Sequence, residues 1–406
     1  MASSQLILAA RDLTRNHTRT LISLSAIAFG VIALLLAGGF IEWIFWAIRE
    51  AAIQTGLGHV QISRPGFRDA GFADPSGFLL RDGSAELVVV RGAPNVEAVG
   101  ERLLLSGLVS SGETTLAFAG DAVDPIAEKT LSKVLQVDGE NLDAIDRNGV
   151  LLGRGLAKAL GVSRGDKVSF IVSLPGGGIN AIEGRLRGTF STQVKAYDDS
   201  AIRMPITLAR DLLRVKGSHL WVIGLTSTER TDETIAYLRE RLPADGFELK
   251  SWFDLSDFYQ KSVTLLSRQL DLVTLLIGVI IVLGISNTLT MSVLERTGEI
   301  GTIMAMGTPP RRVLQLFVVQ GFLLGVIGGI IGLGIGFAVA SIISHVGIPM
   351  PPPPGRDTGY SAEIMLTARL AFWGAVVAVV PATLASLYPA WKAARLPIVD
   401  ALRHNR

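Results

Sequence analysis

The chain of 406 residues contains no cysteine. That excludes disulfides, cysteine-ligated zinc, iron–sulfur clusters and a thiol nucleophile, and leaves the redox compartment unspecified. Charge is scarce, 18% of residues, and nearly balanced, with 38 Lys plus Arg against 36 Asp plus Glu. There is therefore no global electrostatic case for a nucleic-acid partner. No Gly-x-x-x-x-Gly-Lys-Ser/Thr stretch occurs, so no P-loop cradles nucleotide phosphates in this chain. The five histidines, His17, His59, His219, His345 and His404, stand singly without His-x-x-x-His or His-Glu spacing, and a metal site built from sequence neighbours is unsupported. No Gly-x-Ser-x-Gly elbow is present either. The sum of these absences disfavours an enzyme and leaves no cofactor for this chain to hold.

Apolar residues, by contrast, make up 49% of the chain and gather in four long runs. Each run is long enough to cross a bilayer. The first follows Arg11, Arg15 and Arg19. It is longer than the roughly 7 to 15 residues of a signal-peptide core, so it reads as an uncleaved membrane helix. Basic residues cluster before the first run, at Arg296, Arg311 and Arg312, and in the tail at Lys392, Arg395, Arg403 and Arg406. Short basic loops stay cytoplasmic, which predicts both termini on the cytoplasmic side of the membrane. The expected order is a cytoplasmic segment at 1–19, a first transmembrane helix at 20–48, an extracytoplasmic domain at 49–265 and a second helix at 266–293. A charged cytoplasmic segment at 294–312, a third helix at 313–346, an outer loop at 347–366, a fourth helix at 367–390 and a tail at 391–406 complete it. The fold class is thus membrane α-helical, four transmembrane helices, with a large α+β extracytoplasmic domain between helices 1 and 2.

Within 49–265 the chain changes to short β-type runs, turn signals and amphipathic helices. Leu87–Val90, Arg102–Leu105 and Leu116–Ala119 read as strand or helix-edge segments. Val150–Gly153 leads into a helix from Gly155 to Leu160 ended by Gly161; Asp166–Val172 alternates as a half-buried strand, and Pro175–Gly178 turns the chain into a return strand from Ile182 to Phe190. Helices are expected near Leu208–Val215 and Thr231–Leu242, with a strand at Leu220–Leu225 between them. Phe253 to Arg268 leads without Pro or Gly into the second apolar run, as one continuous helix would. Glu42 is the one acid in the first run and reads as an interfacial or bundle-facing carboxylate. The third run places Gly321, Gly325 and Gly329 on one ridge and Gly328, Gly332 and Gly336 on another. Such four-residue spacing lets helices pack closely, within a subunit or between subunits, and the first ridge is a candidate contact between protomers.

Two stretches carry a family resemblance. Glu295-Arg296-Thr297-Gly298-Glu299-Ile300-Gly301 through Ala305-Met306-Gly307, and Tyr388-Pro389-Ala390-Trp391-Lys392 through Asp400-Ala401-Leu402-Arg403, resemble the FtsX-like/MacB-like ABC permease family, which includes the LolC/LolE lipoprotein-release subunits. The resemblance covers nearly the whole chain. It implies a dimer, homo- or heteromeric, seated on cytosolic ABC ATPase subunits that bind the ATP and Mg, and a mechanical relay to the outer domain. It also implies contact with membrane lipids and a periplasmic partner. The segment matching Glu295 to Gly307 is the family's coupling helix, so Glu295, Arg296, Glu299, Ile300, Gly301, Met304 and Gly307, with Arg311 and Arg312 beyond it, are the expected ATPase-coupling residues. Gly321, Gly325 and Gly329 are the expected helix-packing residues. The outer domain resembles the family's two-lobed arrangement, here with an inserted lobe at about 122–200. No fused nucleotide-binding domain is seen, which places the ATPase on a separate polypeptide. The short loop Pro175 to Asn180 weakens any chaperone hand-off of the lipoprotein-release kind. Export or extraction of lipid, lipoprotein or other amphipathic cargo is the leading expectation. The alternatives are ATP-driven signalling to a periplasmic partner such as a cell-wall hydrolase, and a membrane-anchored structural or receptor protein.

Overall fold

The computed structural model describes residues 17–71, 75–133, 135–174, 177–192, 195–351 and 360–397. Arg11, Arg15, Pro175, Gly176, Pro352–Pro354, Arg356, Arg403 and Arg406 lie outside these. The chain divides into two compact units, one comprising Met1–Trp46, Ser262–Met350 and Ser361–Arg406, the other Ala47–Lys261 and Pro351–Tyr360.

Among its described residues, the first unit holds four helices long and apolar enough to span a membrane. The first runs over His17–Ala52, the second over Asp257–Glu295, the third over Pro310–Val346 and the fourth over Ala368–Ala394. Each is longer than its apolar core because helical hydrogen bonds are indifferent to whether the outer side chains are polar. The second helix does not extend back to Phe253, however. A separate turn, Trp252–Leu255, is closed by a capping box in which Ser251 and Asp254 satisfy each other's backbone N–H, and Ser256 breaks the helix before Asp257. Arg19 at the start of the first helix meets Glu295 at the end of the second through two bonds of 2.5 and 2.6 Å, while Glu42 near the first helix's other end meets Arg369 at 2.7 Å.

The second unit is built on ten strands: β1 Val60–Ser63, β2 Val96–Ser111, β3 Thr114–Val123, β4 Gln136–Gly139, β5 Gly149–Gly153, β6 Lys167–Ser173, β7 Ile179–Ser191, β8 Ala201–Pro205, β9 Leu220–Leu225 and β10 Glu248–Ser251. Six of them close a ring. β2 pairs β3, β3 pairs β8, β8 pairs β5, β5 pairs β7, β7 pairs β6, and β6 returns to β2. Leu103, Val109, Phe118, Leu152, Phe170 and Ile202 fill this barrel. The N-terminal half of β2 leaves it to pair with β9, which continues to β1 and β10 over a separate core around Trp221, Ile223 and Leu238. One long strand thus joins a barrel to a sheet, and strand pairing is continuous through the segment 122–200. Leu87–Val90 is not a strand but lies in a helix, Ala85–Arg91, because Ser84 caps its N-terminus at Leu87 N–H and Leu87 and Val90 point inward one turn apart.

Under the barrel's rim lies a buried ion cluster. Arg102 of β2 donates to both oxygens of Glu128 at 3.0 and 3.1 Å, and Arg203 of β8 donates to the same carboxylate at 2.8 Å. Glu128 sits on the helix Pro125–Leu131, capped by Asp124, and is also bonded by Ser132. Burial alone would raise its pKa, but the two guanidinium charges win and hold it below the usual carboxylate range. Arg203 donates further to the carbonyl of Thr55 at 3.1 Å, in a π-helical turn, Ile53–Leu57. Gly56 is required there: its φ is +132°, and a Cβ would lie 2.9 Å from the Arg203 guanidinium.

Candidate functional site

Between the second and third apolar helices the chain forms one short helix, Thr297–Ala305. Arg296 leaves helical geometry and bends the chain, and the Thr297 hydroxyl accompanies the bend by donating to the Val293 carbonyl at 3.0 Å. The far end closes as a Schellman motif: Gly307, at φ +94°, donates to Met304 and Thr308 to Ile303. Pro309 and Pro310 follow, and Pro310 starts the third helix at a position that needs no N–H. Both ends of the short helix are therefore fixed by chain geometry to membrane helices.

Its faces divide sharply. Thr297, Gly298, Ile300, Gly301 and Met304 are buried, with Ile300 and Met304 in one apolar cluster with Val293, Val313, Phe317, Ala390 and Ala393. Glu299, Thr302, Ile303, Met306 and Gly307 are exposed, Met306 at 75%. Of the residues expected to meet a partner, Ile300, Gly301 and Met304 thus face their own bundle. Glu299 is on the outer face, with Arg296 paired to it at 3.5 Å; Glu295 is exposed but engaged by Arg19; Arg311 and Arg312 are exposed on the first turn of the third helix. Ile303 and Met306 were missed. The i, i+3 spacing of two exposed apolar residues beside Glu299 is the signal that could have found them.

The glycine ridges are both used inside the chain. A Cβ on Gly321 would lie 2.5 Å from Ser386, and one on Gly325 2.8 Å from the Cα of Val379; Gly329 faces Ala378. These are residues of the fourth helix, so the first ridge is covered and is not available to a second protomer. The other ridge packs on the first helix, where a Cβ on Gly328 or Gly332 would fall 2.9 or 2.8 Å from Ile27 or Val31.

Two family models match the chain: the FtsX-like permease C-terminal model over residues 272–398, and the MacB-like periplasmic core domain over residues 20–241. Among relatives, the chain is 28% identical over 193 residues to the macrolide export ATP-binding/permease protein MacB of Syntrophobacter fumaroxidans, covering 45% of this chain and 25% of that protein. The chain thus spans only a quarter of that relative's length. It is 24% identical over 423 residues to the lipoprotein-releasing system transmembrane protein LolC of Neisseria meningitidis, covering 95% of this chain and 94% of the relative. Among solved structures, the periplasmic region of MacB from Actinobacillus actinomycetemcomitans aligns with 52% of this chain and 95% of its own, at 13% identity and a TM-score of 0.38. With the core-domain model covering more than half of the 406 residues and the permease model covering the last three apolar helices, the chain belongs to the FtsX-like ABC transporter permease family and carries its MacB-like periplasmic core domain.

Proposed function

We propose that this chain is the permease subunit of a transporter in which a separate cytosolic ABC ATPase binds ATP and Mg and drives movements of the extracytoplasmic domain, extracting or exporting lipid, lipoprotein or other amphipathic cargo from the inner membrane. Both termini are cytoplasmic in this reading, and a second permease protomer completes the assembly. The observation that carries it is the two-faced helix Thr297–Ala305. Its inner face is packed into the bundle, its ends are locked to the second and third membrane helices, and its outer face presents Glu299, Ile303 and Met306. A push on the outer face therefore moves two membrane helices, with little slack to absorb it. The LolC relative, named for lipoprotein release and aligned over nearly the whole chain, favours a lipid-modified or amphipathic cargo.

The test is charge reversal at the outer face. Glu299→Lys should preserve insertion and folding, because the carboxylate is half exposed, while weakening copurification with the ATPase and cargo-stimulated ATP hydrolysis. Ile303→Asp should do the same without depending on the sign of the partner's charge. If both variants insert correctly and keep wild-type coupling, the helix is not the coupling element.

A further inference from the structure

The long strand β2 changes neighbours along its length, and the change leaves a gap. On one side it is paired with β3 throughout Arg102–Ser111. On the other it pairs with β9 as far as Arg102 and with β6 only from Leu108. The direction of the backbone groups in between follows from the ladder. Ala119 N–H donates to Ser200, so the odd-numbered residues of β3 face β8. The even-numbered ones then face β2, and by register the odd residues of β2 face β3. Leu104 and Ser106 therefore aim their N–H and C=O groups into the gap. His219, which donates its own N–H to Arg102 at 2.8 Å, accepts from Leu104 N–H through Nδ1 at 3.0 Å and so ends the β9 pairing. Among the described residues, the Leu104 carbonyl and both backbone groups of Ser106 have no ladder partner, and Ser106 is exposed. Gly107 sets the other end, since a Cβ there would lie 2.3 Å from the Ile171 carbonyl and would push β6 away.

The gap opens into a cleft of about 560 Å³, walled by Leu108, Ile171, Leu174, Ile179, Leu213 and Val215. Unpaired backbone groups in a row beside apolar pockets are the two halves of strand-addition recognition: main-chain hydrogen bonds give affinity and alternate side chains find pockets. We propose that this cleft takes an extended polypeptide segment with apolar residues at alternate positions, added antiparallel to β2 between β9 and β6. The antiparallel sense follows from both flanking strands running that way. The opening from Leu103 to Gly107 admits roughly five residues at about 3.3 Å each. An acyl chain would fill the apolar walls but leave the Leu104 carbonyl and the Ser106 backbone groups desolvated and unpaired, which disfavours it. The inference stands independently of the coupling role of the short helix.

The experiment uses the full chain in lipid nanodiscs and three capped heptapeptides of alternating Val-Thr, Leu-Ser and Phe-Ser. Amide hydrogen exchange read residue by residue should show Ser106 N–H slowed by at least one peptide, and N-methylation of that peptide's β2-facing amides should weaken its binding by about tenfold. Leu108→Asp, at an exposed wall position, should abolish binding while leaving the barrel's exchange pattern unchanged; Ser106→Pro, if it folds, should do so by removing the donor. Three outcomes overturn the proposal: no protection of Ser106 by any of the peptides at millimolar concentration, equal binding of the N-methylated form, or displacement of the peptide by laurate with Ser106 exchange unaltered throughout.

Discussion

In the membrane unit glycine lets neighbouring helices approach closely. Gly321 and Gly325 lie against the backbone of the fourth helix, Gly332 against that of the first and Gly328 against the Ile27 side chain; among the described residues the unit's ion pairs sit at helix ends. In the domain unit the interior holds ions. Arg102, Glu128 and Arg203 are 5%, 8% and 3% exposed, beside a barrel core of aliphatic and aromatic side chains, and Glu101 and Asp198 are buried in the same unit. The contrast follows from what surrounds each unit. Helices in hydrocarbon gain nothing by hiding leucine from lipid, so contact distance and dispersion decide their association. A water-facing domain has the hydrophobic effect to drive its folding and can bury charge where geometry satisfies it, although removing one partner then strands the others.

The largest effect is expected at the ion cluster. Glu128→Ala leaves two buried guanidinium groups without their counter-charge and should cost about 3 to 5 kcal/mol, read as the opening free energy of β2 and β3 amides in hydrogen exchange. Replacing the whole cluster, Arg102→Met with Glu128→Leu and Arg203→Met, should cost far less, since the Nε atoms of both arginines have no partner among the described residues. If the triple variant is as unstable as Glu128→Ala, the cluster does more than balance its own charge. A pH scan tests the same point. The folded pKa of Glu128 is depressed below the unfolded one, so its contribution is present above the ordinary carboxylate range and is lost as pH falls through the folded value. Glu128→Gln should flatten that acid limb.

Next is the glycine contact. Gly325→Leu must displace the backbone of the fourth helix and should cost about 1 to 3 kcal/mol or more. Gly334→Leu, further along the same helix but with nothing within 4 Å of its Cβ position, should be silent. The measurement is the fraction of monodisperse, correctly inserted protein after detergent extraction. Equal loss from both would mean that helix propensity or lipid fit, and not close packing, explains the ridge.

The apolar runs and the short charged segment after the second of them were legible in the sequence because each is a local pattern. Hairpin β6–β7 and the Gly161 helix end were legible for the same reason, with alternation and a single turn residue sufficing. The barrel was not, since its closure depends on β6 returning to β2 and on the parallel pairings of β3 with β8 and β5 with β7, between segments far apart in the chain. Sequence spacing likewise identified Glu295 to Gly307 but could not say which side of a nine-residue helix faces outward. Ile300 and Met304 are buried in one cluster with Phe317 and Ala390 from other helices, a placement that no local pattern carries. The two glycine ridges were visible as ridges, yet only the position of Ala378, Ala382 and Ser386 assigns the first of them to the fourth helix.

The smallest effect is expected where the contact looks strongest on distance alone. Arg19 and Glu295 meet through two short bonds, in the bidentate geometry that best suits a guanidinium and a carboxylate. Their side chains are 37% and 43% exposed, however, so water and salt compete for both charges and the gain is offset by ordering two long side chains. Arg19→Ala and Glu295→Ala, alone or together, should leave thermal stability in nanodiscs unresolved from wild type at physiological salt, and any difference seen at low salt should vanish as salt is added. The membrane unit would then be held by its glycine contacts, and this pair would do no more than align the ends of the first two helices beside the short helix Thr297–Ala305. A loss on Arg19→Ala as large as that on Gly325→Leu, persisting at high salt, would reverse the comparison, because it would make an exposed ion pair and not interhelical closeness the tie that holds the first helix to the bundle.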